Sequence, residues 1–379
     1  MGNLRDHLAV PIVNEPKANF GFTPTTEYDG SHGFIQTGGL KETPVFTELL
    51  EFFGYDPKEV RIVGTLKTSR WQQREDGEWL SSYRFALAPA GTSNLDDLIS
   101  EIKSRRSVKK PVTPDTGAKP FHWLAGDLQL GKIDGDGTQG IVDRVCQSIE
   151  NGKREFLRLR KNNSINLVHQ AWLGDCGEGN QSQNGRNMWR TELTVTEQYR
   201  LFRRLMLYAI DEFNPLVERL EVDVVNGNHD DVQRFQNTRA DDGHATESAI
   251  ALADALQLNQ SVYGSVKIFV PNKDESMVTR EIGSSIFTQL HGHQWSRGKS
   301  FTWWAEQALN LHSPAASQFL LHGHEHEFRI MAKKDRVEIC VPTFESRSQY
   351  WVDRHGDIAK TGAVIMLTDG NDFSDLSIV

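Results

Sequence analysis

The chain has 379 residues, of which 38% are hydrophobic and 25% are charged. These values are ordinary for a globular protein and exclude a chain that is mainly disordered, collagen-like or coiled-coil. The formal net charge of −9 argues against a broadly basic nucleic-acid binder. The three cysteines lie far apart in sequence, which argues against a disulfide framework or a cysteine zinc site.

The N-terminal segment has no signal-peptide pattern, and no apolar run approaches the roughly 18 residues that span a bilayer. We therefore expect a soluble, cytoplasmic protein without membrane contact.

The first part of the chain predicts a small α+β accessory domain over residues 1–88. Its predicted elements are a helix at 43–53 and two strands at 60–71 and 79–87. Asp76 and Gly77, between the two strands, are typical of a hairpin turn. Residues 89–120 predict a linker that contains a short charged helix.

From residue 121 onward, strand patterns alternate with helix patterns. The predicted strands lie at 121–127, 165–175 and 221–230, and the predicted helices at 138–160, 189–213 and 245–256. The remainder is mostly strand. This order is typical of an α/β domain with parallel pairing followed by a β-rich half, so we predict one catalytic domain over 121–379.

Polar residues of the metal-ligand type stand where the apolar strands end. In chain order they are Asp127, Gln129, Asp175, Asn228, His229, Asp230, His291, His324 and His326. Sites in open α/β sheets form beyond the carboxyl ends of strands, so these side chains can converge. Carboxylate, amide and imidazole donors suit manganese, iron or zinc, and a carboxylate can bridge two cations. The pattern predicts a two-metal centre.

These motifs, in this order, resemble those of the calcineurin-like metallophosphoesterases. The family pattern is D-x-H, G-D-x-x-D/E, G-N-H-D/E, a histidine before glycine, and G-H-x-H. The matching segments here are 127–129, 174–178, 227–230, 291–293 and 323–326, so the resemblance covers roughly residues 121–350. It implies an α/β fold, a four-layer α-β-β-α sandwich, with the small α+β domain added at the N-terminus.

The resemblance also implies roles for single residues. It assigns Asp127, Gln129 and His326 to a first metal, Asn228, His291 and His324 to a second, and Asp175 to a bridge between both. His229 is expected to protonate the leaving oxygen, and Asp230 to orient its ring. Two divalent cations are implied, with manganese preferred and zinc, iron and magnesium as alternatives.

Gln129 departs from the family pattern, which has histidine at that position. An amide oxygen is a weaker ligand than imidazole, so the first site is expected to lose zinc affinity and to favour manganese or magnesium. The departure keeps open a catalytically degenerate protein that acts as a binding or scaffold protein.

The function that we predict from these motifs is a metal-dependent phosphodiesterase with a bridging hydroxide as nucleophile. We expect a nuclease acting on DNA or RNA, similar to the repair-nuclease or bacteriophage-type branch of the family. A phosphomonoesterase or a small-nucleotide phosphodiesterase is the alternative. The expected partner is a nucleic-acid substrate, with a homodimer or an ATPase partner as further options.

Several residues near these motifs allow two interpretations. Arg186 and Arg190 are predicted to bind substrate phosphate, or else to lie on a solvated helix face. Trp295, Trp303 and Trp304 suit base stacking on single-stranded nucleic acid, or else core packing. His293 and His322 could support the metal ligands or serve a structural role. Cys176 is not expected to be a catalytic thiol.

Overall fold

The computed structural model describes residues 24–29, 33–41, 44–57, 59–72, 79–89, 95–113, 117–180, 191–232, 239–347, 352–353, 356 and 360–379. The chain divides into two compact units, Met1–Asp96 and Asp97–Val379. Among the described residues, no helix combines the length and the apolar character that crossing a lipid bilayer requires.

In its described residues, the first unit contains an antiparallel four-stranded sheet and one short helix. Its elements are β1 (Thr25–Tyr28), β2 (Gly33–Gln36), α1 (Phe46–Phe52), β3 (Val60–Gln72) and β4 (Trp79–Pro89). The sheet order is β1-β2-β4-β3, and a separate apolar core lies between sheet and helix, with Ile35, Leu49 and Phe85 almost completely buried. The predicted pair of strands is present, while the predicted turn at Asp76 and Gly77 lies outside the described residues.

The second unit is built on two sheets. Its helices are α2 (Leu95–Ser104), α3 (Gly137–Leu159), α4 (Val195–Phe213), α5 (His244–Leu256), α6 (Gln260–Tyr263) and α7 (Ser300–Leu309). Its strands are β5 (Phe121–Ala125), β6 (Leu167–Leu173), β7 (Arg219–Val225), β8 (Val266–Phe269), β9 (Val278–Ile282), β10 (Ser285–Gln289), β11 (Phe319–His322), β12 (Arg329–Lys333), β13 (Arg336–Cys340), β14 (Val364–Asp369) and β15 (Asp372–Ile378). The predicted α/β class with an added α+β unit is confirmed.

Strand order explains how the two sheets are organised. The larger sheet has the order β15-β14-β5-β6-β7-β8, and the smaller one β12-β13-β11-β10-β9. Strands β5 to β8 pair in parallel, as do β10 with β11 and β11 with β13. Strands β5 and β6 are buried at every position, which explains their nearly continuous apolar sequences.

Side-chain alternation defines the layers. Phe319 and Leu321 of β11 join an apolar cluster with Leu124 and Leu173, so this face of the small sheet packs on the large one. Leu320 points to the other face and packs with Trp304 of α7. Helices α3, α4 and α5 pack with the large sheet in a third cluster. The packing order is therefore helices α3, α4 and α5, then the large sheet, then the small sheet, then helix α7.

Some element boundaries differ from the sequence prediction. The helix predicted at 189–213 begins at Val195, because Thr194 accepts the backbone N–H of Glu197 while the Glu197 carboxylate accepts that of Thr194. This capping box fixes the first turn. Strands β1, β2, β9 and β15 were not predicted. Three of them, β1, β9 and β15, are sheet edges with few apolar residues, so they carry little hydrophobic signal, and β2 is only four residues long.

The predicted linker contributes to the second unit. Leu98 and Ile102 of α2 are buried in the cluster formed by helices α3 to α5 and the large sheet. Their burial requires an ordered helix at this point of the chain.

A buried polar network joins the two sheets. The Asp223 carboxylate on β7 accepts hydrogen bonds from Arg280 Nε at 2.8 Å, from Gln289 and from His169 Nε2 at 2.8 Å. His122 continues the network to His169 at 2.9 Å and to Thr368 at 2.8 Å. Burial raises the pKa of Asp223, but His169 and Arg280 outweigh it and lower the pKa below its usual value.

We predict that Asp223→Ala lowers the free energy of unfolding by about 3–5 kcal/mol, because it leaves the buried Arg280 charge without its main partner. Urea unfolding followed by circular dichroism measures the change. Asp372→Ala, at an exposed carboxylate of β15, is the control and should change stability by less than about 0.5 kcal/mol. Equal effects of the two substitutions would contradict a stabilising network.

Candidate metal centre

The predicted ligands lie in loops that follow the carboxyl ends of parallel strands. Asp127 follows β5, Asp175 follows β6, and Asn228 follows β7; these three strands are neighbours in the large sheet. His291 follows β10, and His324 and His326 follow β11, which neighbour each other in the small sheet. The facing sheets therefore bring the loops together at one edge.

The backbone at this edge is strained. Among the described residues, nine non-glycine residues have positive φ, and five of them are predicted ligands: Asp127, Gln129, Asp175, His324 and His326, with φ between 49° and 68°. Non-glycine residues seldom adopt this conformation, and such strain concentrates at functional sites. Gly174, at φ +82°, allows a close approach of two loops, since a Cβ there would lie 2.7 Å from the Gly227 nitrogen.

Three of the ligands form a compact cluster, which we call the histidine group: Asp175, His291 and His324. One donor atom from each lies within 4.8 Å of the other two. His291 Nε2 is 3.1 Å from Asp175 Oδ2 and 3.3 Å from His324 Nδ1. The other ring nitrogen of His291 donates to the Leu173 carbonyl at 2.8 Å, which directs the Nε2 lone pair toward the cluster.

A second cluster lies beside it, which we call the lysine group: Asp127, Gln129, Lys132, His326 and Glu345. His326 Nε2 is 3.3 Å from Asp127 Oδ1, and its Nδ1 is bonded to Glu345 at 2.7 Å. The buried ammonium of Lys132 donates to Gln129 Oε1 at 2.7 Å and pairs with the Glu345 carboxylate. The backbone links the two groups, because the His324 N–H donates to Asp127 Oδ2 at 2.8 Å.

The donor atoms fit divalent cations. Asp127 Oδ1 and Asn228 Oδ1 are buried without a hydrogen-bond donor among the described residues, and a buried oxygen of this kind is costly unless another partner binds it. Neighbouring donors around a cation with bonds of about 2.1 Å lie about 3 Å apart, close to the spacing within the histidine group. Carboxylate, amide and imidazole donors suit manganese, iron or zinc.

His229 lies at the rim of the histidine group. Its backbone N–H donates to Asp175 Oδ1 at 2.8 Å, and its Nε2 is 3.8 Å from Asp175 Oδ2. Its Nδ1 bonds the Glu178 carbonyl at 2.9 Å and lies 3.4 Å from the Glu178 carboxylate. Burial lowers the pKa of His229, but Asp175 and Glu178 outweigh it and raise the pKa to about 9.

Asp230 has a different position from the one predicted. Its carboxylate accepts the backbone N–H groups of Cys176 at 3.1 Å and Gly227 at 2.7 Å, and the Tyr199 hydroxyl at 2.7 Å. The ring of His229 is bonded by Glu178, so the orienting role predicted for Asp230 falls to Glu178. Asp230 instead ties the loop after β6 to the loop after β7.

The other residues that the sequence singled out have different positions. Arg186 and Arg190 lie outside the described residues. His322 is completely buried and bonds Glu338 at 2.8 Å, which is a structural position. His293 is exposed, and its ring centre lies 5.6 Å from that of His291. Burial raises the pKa of the Cys176 thiol well above its usual value, which disfavours a thiolate nucleophile.

Trp295, Trp303 and Trp304, the candidates for base stacking, belong to an apolar cluster of the second unit. Trp304 is buried and its Nε1 donates to the Pro314 carbonyl at 2.8 Å. Trp295 contacts Trp303, with ring centres 4.9 Å apart, and the edge of His322. Core packing therefore accounts for Trp304.

Sequence reasoning assigned no role to Lys132, Glu178 or Glu345. Glu178 belongs to the G-D-x-x-E motif, so its position was visible in the sequence. Lys132 stands three residues after Gln129 and Glu345 belongs to none of the motifs, and only the fold brings the two together.

Comparison with known proteins gives structural matches only. No protein-family model and no curated protein sequence matches the chain. An archaeal phosphodiesterase is 13% identical, covering 68% of this chain and 99% of its own, with a TM-score of 0.32. A predicted phosphoesterase of Streptococcus pneumoniae is 13% identical, covering 66% and 84%, with a TM-score of 0.29. Vps29 of Entamoeba histolytica, solved with zinc, is 14% identical, covering 67% and 88%, with a TM-score of 0.31.

These matches are structures of the calcineurin-like metallophosphoesterase fold. At such identities and TM-scores they assign no function to this chain. The functional proposal depends on the chain's own residues.

We predict that Asp230→Ala lowers the free energy of unfolding by about 3 kcal/mol or more, because several buried donors lose their common acceptor. Tyr199→Phe removes only one of these hydrogen bonds and should cost about 1 kcal/mol. Urea unfolding of both variants tests the difference. If the two losses were equal, Asp230 would not hold the loops together.

Proposed function

We propose that the chain is a metal-dependent phosphodiesterase and that nucleic acid is its substrate. The observation that supports this most is the convergence of the histidine group and Asp127 at one sheet edge. Buried oxygens of Asp127 and Asn228 have no hydrogen-bond donor among the residues that the structure describes. Asp175, Asn228, His291 and His324 would hold one cation. Asp127, Gln129 and His326 are the donors for a second position, which shares Asp175.

Bound divalent cations supply Lewis acidity toward a phosphoryl oxygen and lower the pKa of water. The protein side chains have separate tasks. His229 presents Nε2 toward the histidine group while its Nδ1 is bonded by Glu178, so this ring can hold a proton at Nε2 for the leaving oxygen. The carboxylates of Asp175 and Glu178 favour the protonated ring.

The motif pattern favours a nuclease of the repair-nuclease or bacteriophage-type branch. The net charge of −9 favours the alternative, a small-nucleotide phosphodiesterase, because an acidic protein repels a polyanion more than a single nucleotide. Hydrolysis of labelled DNA and RNA strands, beside an aryl phosphodiester and nucleotide diesters, separates the two. Cutting of an oligonucleotide supports the nuclease, and turnover of small diesters alone supports the alternative.

We predict that Asp175→Asn abolishes hydrolysis of the aryl phosphodiester in manganese and also lowers the metal content of the purified protein. The physical reason is loss of the carboxylate charge between the two proposed positions. Elemental analysis of metal per chain is measured with the initial rates. The exposed Asp372→Asn is the matched control and should keep both values. Wild-type turnover that survives a chelator, or full activity of Asp175→Asn, would refute the metal mechanism.

We predict that His229→Ala lowers kcat by roughly 10²- to 10⁴-fold while metal content stays unchanged, because it removes proton transfer and no ligand. A substrate whose leaving group needs no proton, such as an aryl diester, should lose less rate than an alkyl or nucleoside diester. Parallel loss of activity and metal would instead make His229 a ligand.

A further inference from the structure

The buried lysine distinguishes the two proposed cation positions. Lys132 is 8% exposed, and its ammonium is bonded to Gln129 and paired with Glu345. Burying an ammonium is costly unless charged partners surround it, so its place in the lysine group is a specific feature of this fold.

A tight turn delivers this ammonium. The Lys132 N–H donates to the Gln129 carbonyl at 3.1 Å, which folds residues 129–132 so that both side chains lie on the same side. Gly131 permits the turn because its φ of +97° is one that glycine adopts without strain; a Cβ there would also lie 2.7 Å from the Gln198 side chain.

The ammonium weakens each neighbouring donor for a cation. Gln129 offers only its Oε1 as a ligand atom, and that oxygen already accepts a charge-assisted hydrogen bond from Lys132. The negative charge of Glu345, which would make His326 a stronger ligand, is shared with Lys132. A divalent cation next to Gln129 would also lie close to a like charge.

In the described part of the chain, no lysine or arginine side chain contacts the three residues of the histidine group. His291 is oriented by a neutral backbone carbonyl, and Asp175 accepts a backbone N–H from His229. Asn228 Oδ1 is buried and has no donor within the described chain, so it can complete the ligand set.

We propose that the centre is unequal: the histidine group with Asn228 holds one divalent cation tightly, and the ammonium of Lys132 provides the second positive charge beside Gln129. This inference rests on the proposed metal-dependent function. The fixed cation would bind the same phosphate that the metal polarises, and a second metal ion would occupy the lysine group only weakly.

The test counts metal ions rather than turnover. Isothermal titration of the metal-free full-length chain with manganese should show one tight equivalent and a second at least about 100-fold weaker. Electron paramagnetic resonance with one equivalent of manganese should give the six-line spectrum of an isolated ion. Two equivalents of similar affinity, or a spin-coupled pair, would overturn this proposal while leaving the proposed hydrolase function intact.

Two variants test the lysine directly. Lys132→Met keeps the aliphatic stem and removes the charge, so the second equivalent should bind at least tenfold tighter. Gln129→His leaves the ion pair between Lys132 and Glu345 in place, so it should raise the affinity for the second equivalent less than Lys132→Met does. The double variant should raise that affinity most. Lys153→Met, which removes an ion pair with Glu212 on the helical face, is the matched control and should change neither equivalent.

The outcomes separate the two proposals. An unchanged second affinity in both Lys132→Met and the double variant overturns the role of the ammonium. If Lys132→Met fails to fold, the stoichiometry of the wild type and of Gln129→His still tests whether the two cation positions are unequal. A chain that binds no manganese at all overturns the proposed function itself, together with this inference.

Discussion

Parallel pairing of β5, β6 and β7 is the constraint on which the site depends. These strands are buried between helices and the small sheet. Polar side chains inside them, such as His169 and Asp223, bond one another, and the candidate metal-binding side chains lie where the strands end. Parallel neighbours end at the same edge, and that edge meets the ends of β10 and β11 because an apolar cluster that includes Phe287 and Phe319 holds the sheets face to face. Residues that are far apart in the chain thereby share one small volume.

Some of the buried carboxylates at this edge are satisfied by the protein itself. Asp230 is satisfied by backbone N–H groups and a tyrosine hydroxyl, and Glu345 by Lys132 and His326. Each loop is therefore held by polar contacts that are independent of a cation. Asp127 Oδ1 and Asn228 Oδ1, which have no hydrogen-bond donor among the described residues, belong to the proposed cation-binding set. Polar groups that hold the loops and polar groups that remain available to a cation are thus different residues, which is how a fold can keep a strained, preorganised site.

Sequence patterns placed the motif residues in loops after buried strands, as the structure has them, because a turn after a buried strand needs glycine and polar residues. They predicted individual contacts less well. Asp230 follows His229 directly, yet its carboxylate points into the loops behind the ring, while Glu178 from another loop bonds that ring. Adjacent residues in an irregular loop have unrelated side-chain directions, so sequence proximity does not imply contact. The edge strands β9 and β15 were also not predicted. Each pairs with a single neighbouring strand, and its burial depends on that neighbour.

Taken by itself, the sequence determined the α/β class, the strand–loop positions of Asp127, Asp175, Asn228, His291, His324 and His326, and the departure at Gln129. These features follow from hydrophobic periodicity and from residue type, which act over a few neighbouring positions. Only the tertiary structure decided what Gln129 contacts. The ammonium of Lys132 and the carboxylate of Glu345 meet there through the packing of separate loops, and charge pairing between such distant residues leaves no local trace in the sequence.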